Sequence, residues 1–135
     1  MAGYSKTSLA KKLGIKEGHR VALLGAPKGF AVPGLPEVEL KTSLRGTKPF
    51  DVVVLFAKRQ SVLAERFPKA QERLEQAGGL WVAWPKKSSG VATDLGDAVV
   101  RAHGLGTGLV DNKVCAIDET WSGLRFVVRV KNRTR

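Results

Sequence analysis

Apolar residues in this chain come in short unbroken runs separated by turns rich in glycine and proline. Val21-Ala22-Leu23-Leu24 runs up to Gly25. A run without polar alternation predicts a strand buried on both faces. Asp51-Val52-Val53-Val54-Leu55-Phe56 holds three consecutive β-branched residues, which predicts a central parallel strand. Leu80-Trp81-Val82-Ala83-Trp84, closed by Pro85, predicts the next one, and Val38-Glu39-Leu40-Lys41 a brief edge strand.

Between these runs the period changes. Ser8-Leu9-Ala10-Lys11-Lys12-Leu13-Gly14 predicts a short helix stopped by Gly14. Residues 31–36 hold Pro33, Gly34 and Pro36, so any helix there is short and poor. From Ser61 onward, Leu63, Phe67, Ala70, Leu74 and Ala77 share one helical face. Pro68 is expected to kink or split that helix, and Gly78-Gly79 to end it. Thr93 is expected to cap a second helix, with Asp94 and Asp97 in its first turn. Leu95, Ala98, Val99 and Ala102 are its predicted apolar face, and Gly104, Gly106 and Gly108 its end.

Residues 109–117 and 123–130 read as two strands joined by the turn Asp118-Glu119-Thr120-Trp121-Ser122. On the second strand Leu124, Phe126, Val128 and Val130 alternate with Arg125, Val127, Arg129 and Lys131. That pattern predicts one covered face and one wet, basic face. The order of elements predicts an α/β fold: a single three-layer Rossmann-like domain over 1–135, mainly a parallel sheet with a C-terminal antiparallel hairpin. Residues 1–6 and 131–135 are read as flexible basic ends.

Composition adds limits. The chain has 135 residues, 43% of them apolar, enough for one real core. Cys115 is its single cysteine, so an internal disulfide is excluded and a reducing compartment is expected. The first residues carry no apolar run, so neither a signal peptide nor a membrane span is expected, and the protein is read as cytoplasmic. The net charge of +11 is unevenly spread. Lys6, Lys11, Lys12, Lys16 and Arg20 face only Glu17 among the first 20 residues, and Arg125, Arg129, Lys131, Arg133 and Arg135 close the chain without an acid. Basic ends attract polyanions, nucleic acid among them, and they also serve simply as solubilising tails.

Residues 13–25, Leu13-Gly14-Ile15-Lys16-Glu17-Gly18-His19-Arg20-Val21-Ala22-Leu23-Leu24-Gly25, resemble the approach to the first strand of class I S-adenosylmethionine-dependent methyltransferases. Phe50-Asp51-Val52-Val53-Val54-Leu55 resembles their fourth strand, Gly79-Leu80-Trp81-Val82-Ala83-Trp84 their fifth, and the hairpin their last two. The chain also resembles a bacterial family of small uncharacterised proteins over nearly its whole length. Tyr4-Ser5-Lys6-Thr7, Trp84-Pro85-Lys86-Lys87 and Gly90-Val91-Ala92-Thr93-Asp94-Leu95 carry that likeness together with residues 18–27 and 111–125. The resemblance implies a truncated methyltransferase-like fold. It does not imply methyl transfer. The family pattern places an acid near the end of the first strand, where this chain has Leu23, and a second glycine where it has Pro27. Only 26 steps separate Gly25 from Asp51, too few for two more strands and two good helices. S-adenosylmethionine is therefore not expected as a cofactor.

Ligands of open α/β sheets bind beyond the carboxyl ends of the parallel strands. That rule gathers Lys28, Lys58, Arg59, Lys86, Lys87, Ser88 and Ser89 on one rim, with Asp118, Glu119 and Trp121 beside them. Cations and hydroxyls suit a phosphate or carboxylate, and Trp121 suits stacking on a base. Equally, such residues make up an ordinary solvated rim. His19, His103 and Cys115 show no metal spacing and no nucleophile–base arrangement, so no catalytic or metal residue is assigned. Three functional readings follow. The favoured one is a non-enzymatic binding module for an anionic small molecule or nucleotide at the rim. The others are a nucleic-acid or ribonucleoprotein accessory acting through the basic ends, and a residual methyltransferase-like enzyme.

Overall fold

In the computed structural model, residues 7–133 are described. They form α1 (Leu9–Lys12), β1 (Arg20–Leu24), β2 (Glu39–Lys41), β3 (Phe50–Phe56), α2 (Gln60–Glu72), β4 (Leu74–Pro85), α3 (Asp97–Gly106), β5 (Leu109–Ala116) and β6 (Trp121–Val128). The six strands make one sheet in the order β2-β1-β3-β4-β6-β5. The first four run parallel, and β6 lies antiparallel to both β4 and β5. The expected strands are all present, with the apolar runs at the centre and Glu39–Lys41 at an edge.

The sheet separates two cores. On one face α2 and α3 cover Val53, Leu55, Leu80, Val82, Leu124 and Phe126, which meet Leu63, Phe67 and Val100 from the helices. On the other face Val21, Val52, Val54, Trp81 and Trp121 are covered by α1, Ile15 and the connection from β1 to β2, through Phe30, Val32, Leu35 and Val38. That connection carries no helix, as its prolines predict. The third layer is therefore a helical turn and a packed loop. Ser8 caps α1 by accepting from the Lys11 N–H, and Gly14 leaves it at φ +81°. Buried Trp81 donates its indole N–H to the Leu13 carbonyl at 3.0 Å, which pins α1 to the sheet.

Three expectations need correction. The helix after Ser61 neither splits at Pro68 nor reaches Ala77: it runs unbroken to Glu72. Pro68 and Ala64, whose carbonyl loses a partner to the proline, both face solvent, so the lost bond leaves no buried acceptor unpaired. Leu74 starts β4 opposite Phe50, and the Phe50 N–H donates to the Arg73 carbonyl. Residues 75–78 then bulge out before Val52 pairs with Gly79. Second, α3 starts at Asp97 rather than after Thr93, and it buries Val100 and Gly104 while Ala98, Val99 and Ala102 are exposed. Gly104 belongs inside the helix because a Cβ there would overlap the edge of the Phe126 ring. Third, the side of β6 expected to be wet and basic is only partly so. Val127 is buried, and the Arg125 guanidinium lies half-buried over Gly79.

Of the ends expected to be flexible, residues 1–6 and 134–135 lie outside the described residues. Val130–Asn132 form a 3-10 turn, and the Arg133 Nε donates to the Val128 carbonyl at 3.1 Å.

Candidate functional site

At the carboxyl ends of β1 and β3 lies a cavity of about 380 Å³, lined by Gly25, Pro27, Phe56, Ala57, Lys58, Arg59, Val62, Arg66 and Trp121. Such a volume suits a small organic ligand. Aromatic packing builds part of its wall. Trp121 meets Phe56 edge-on at 5.0 Å between ring centroids, and Phe56 meets Phe30 in the same manner at 5.0 Å. Gly25 leaves β1 at φ +71°, and a side chain there would crowd the Phe56 carbonyl and an Arg66 nitrogen, each at 3.1 Å.

Lys58, Arg59 and Arg66 supply the charge. Arg59 precedes α2 with an extended backbone, and Arg66 stands two turns further along that helix. All three are exposed, and none takes part in an ion pair among the described residues. Among the described residues no carboxylate lines the cavity. The loop before α3 holds this corner. Thr93 Oγ1 donates to the Lys58 carbonyl at 2.6 Å, and Asp94 Oδ1 accepts from the Gln60 N–H at 2.7 Å. Asp94 thus caps α2 from a different segment of the chain, which explains why Arg59 needs no capping side chain.

Of the ten residues expected at the rim, Lys58, Arg59 and Trp121 line this cavity, and the other seven lie outside its wall. Lys28 is exposed beyond Pro27. The Lys86 N–H donates to the Thr120 carbonyl at 2.8 Å, which ties the loop after β4 to the hairpin. Lys87 and Ser88 are exposed on the 3-10 turn Lys87–Ser89. Ser89 Oγ donates to the Lys86 carbonyl at 2.6 Å and accepts from the Val91 N–H at 3.1 Å, so its hydroxyl serves the loop. Asp118 Oδ1 accepts from the N–H groups of Thr120 and Trp121, each at 2.8 Å, and so shapes the hairpin turn. Glu119 is exposed on that turn. The sequence reading missed Gly25, Phe56, Val62 and Arg66. The signal for Arg66 was its spacing: Arg59, Val62 and Arg66 share one side of a helix that starts at residue 60.

Among the described residues, neither histidine nor the cysteine lines the cavity. His103 lies in the last turn of α3 with its ring edge against Phe67 at 4.9 Å. Cys115 is half-buried on β5, and burial pushes its thiol pKa up against the pull of Lys113 and Lys12. Among the described residues no cluster of His, Cys, Asp or Glu could hold a metal ion, and no helix is long and apolar enough to cross a membrane.

This sheet order, with four parallel strands and a reversed strand inserted before the last, defines a Rossmann-like α/β fold of the methyltransferase type. Among solved structures the chain is similar to the ribosomal protein L11 methylase of Lactobacillus delbrueckii subsp. bulgaricus, with a TM-score of 0.52 and 11% identity over 83% of this chain and 70% of that one. It is also similar to the PH0226 protein of Pyrococcus horikoshii OT3, with a TM-score of 0.52 and 10% identity over 90% and 86% of the two chains. No family model and no curated protein sequence matches the chain, so the resemblance to a bacterial family of small uncharacterised proteins gains no support from them.

Proposed function

We propose that the chain binds an anionic ligand of nucleotide type in the cavity at the ends of β1 and β3, without chemistry of its own. One observation carries this reading: among the described residues, three cations free of ion pairs, Lys58, Arg59 and Arg66, line a partly aromatic cavity that no carboxylate lines. Cations placed this way suit phosphate oxygens, and the apolar wall suits a base. The same lining argues against S-adenosylmethionine. Its sulfonium is positive, the position of the family's early acid is Leu23, which is buried in the core, and Pro27 offers no N–H. Methyl transfer is the second reading, favoured by the fold shared with a methylase.

Titration of the protein with ATP, GTP, their monophosphates and S-adenosylmethionine, followed by calorimetry and tryptophan emission, separates the two. Saturable binding of a nucleotide is expected. Arg59→Ala and Arg66→Ala are each expected to weaken it about tenfold or more, the weight of a charge-assisted hydrogen bond. Saturable binding of S-adenosylmethionine with no response to any nucleotide overturns the proposal and leaves methyl transfer standing.

A further inference from the structure

A second group of cations stands away from the rim, on the face of the sheet that α2 and α3 do not cover. Lys113 and Arg125 are direct partners across β5 and β6, so they rise on the same side. Arg125 also pairs across β4 with Trp81, whose side chain belongs to the α1-side core, and this fixes which side that is. Lys113 Nζ donates to the Lys12 carbonyl at 3.0 Å, which brings the end of α1 alongside. Arg133 is held beside them by its bond to the Val128 carbonyl. Its charge reaches Arg125, whose pKa is lowered by burial first and by Arg133 second.

No ion pair involves Lys12, Lys113, Arg125 or Arg133 among the described residues. The polar neighbour of Arg125 is the neutral Asn112, whose Oδ1 accepts from Nη1 at 3.4 Å. The carboxylates Asp51 and Glu75 line a cleft that Arg125 shares with Lys16 and His19. Asp51 is already engaged, because its Oδ2 accepts from the Arg20 N–H at 2.8 Å. Gly79 makes the arrangement possible: a Cβ there would stand 2.8 Å from the Arg125 Cζ. Without that side chain the guanidinium packs against β4 at Gly79.

We infer that this β5–β6 surface binds double-helical nucleic acid through its phosphate backbone. Cations without acid partners, gathered on a pleated sheet, match a polyanion of regular charge spacing. The chemistry of the patch selects among polyanions. Single strands are held by stacking on aromatic side chains, and acidic proteins by aromatic or aliphatic anchors set in pockets. No aromatic residue is exposed among the described residues; of the exposed aliphatic side chains near the patch, Val130 adjoins Arg133, and Val114, the direct partner of Leu124, stands on the opposite side of the sheet from Lys113 and Arg125. What remains is phosphate contact without base readout, which a duplex supplies. This surface is distinct from the rim cavity and does not depend on the ligand proposed there.

Fluorescence anisotropy with a labelled 20-base-pair duplex in about 50 mM salt is the test. Engagement of three to four phosphates predicts an affinity that falls about a hundredfold between 50 and 200 mM salt. Lys113→Glu with Arg133→Glu is expected to abolish measurable binding. Lys113→Gln with Arg133→Gln, which is milder to the fold, is expected to weaken it at least tenfold and to lower the salt slope by about two. Lys69→Ala, on α2 across the sheet, is expected to leave duplex binding unchanged. The inference is overturned by no duplex binding at low salt, or by full binding in the folded Gln pair. Tighter binding to the single strand of the same sequence, to poly-glutamate or to phosphatidylserine vesicles overturns it as well.

Discussion

The two faces of the sheet are built to different standards. Helices α2 and α3 seal one face, where Phe67, Leu80, Leu124 and Phe126 are fully buried and Phe67 meets Phe126 at 5.7 Å in a T-shaped contact. The other face is covered by one helical turn and a proline-rich loop, and this cover is fastened by single bonds such as Trp81 to Leu13 and Lys113 to Lys12. Close packing makes the sealed face intolerant of added volume. Where cover stops, at the rim and over β5–β6, cations stand without ion pairs among the described residues.

The same substitution in each face tests this contrast. Gly104→Ala has the largest expected effect. In an open helix the change gains up to about 1 kcal/mol of helix propensity. Here the new methyl group meets the Phe126 ring, which Phe67 holds from the other side. Overpacking of that kind costs about 1–3 kcal/mol, so urea denaturation should show a net loss of stability. An unchanged or raised midpoint would mean that the helix-covered core yields easily, and the contrast between the faces would fall.

Asp94→Ala comes next and acts at the margin itself. Asp94 supplies the side-chain acceptor for the Gln60 N–H at the start of α2 and sits at the positive end of the helix. Its loss should cost about 1 kcal/mol in denaturation and weaken nucleotide binding at the rim, because the start of α2 beside Arg59 loses its side-chain clasp while the Thr93 bond to Lys58 remains. A stability loss with unchanged rim affinity would show that the cavity does not depend on this clasp.

How much of this was legible follows from what each signal depends on. Strands β1, β3 and β4 were read from continuous apolar runs, since burial on both faces is a local property of composition. The end of α2 was not legible. Leu74 continues the helical spacing, yet its place is set by pairing with Phe50, which no local period reveals. The face of α3 was misread for a similar reason. Ala98, Val99 and Ala102 are apolar and exposed, whereas Gly104 is a core position only because Phe126 lies against it. At the rim, Lys58, Arg59 and Trp121 followed from the rule that ligands meet the carboxyl ends of parallel strands. Arg66 depends on the rotation of α2, and Ser89 and Asp118 are taken up by turns whose hydrogen bonds composition does not show.

Gly79→Ala is the smallest expected effect and the sharpest probe of the less covered face. The added methyl group would meet Arg125, as the methyl at residue 104 would meet Phe126. The obstacle differs in kind. A guanidinium at the end of a long side chain can swing toward water, and burial already lowers the Arg125 pKa, so leaving the surface of β4 relieves a cost. Alanine also reduces the freedom of the unfolded chain, a gain of about 0.4–1 kcal/mol where the backbone accepts it. The two contributions should nearly cancel, leaving stability within about 1 kcal/mol of the parent. Duplex affinity should change more than stability does, because Arg125 no longer lies beside Lys113. If Gly79→Ala instead costs as much as Gly104→Ala, Arg125 is a fixed part of the core, and the two faces are equally rigid.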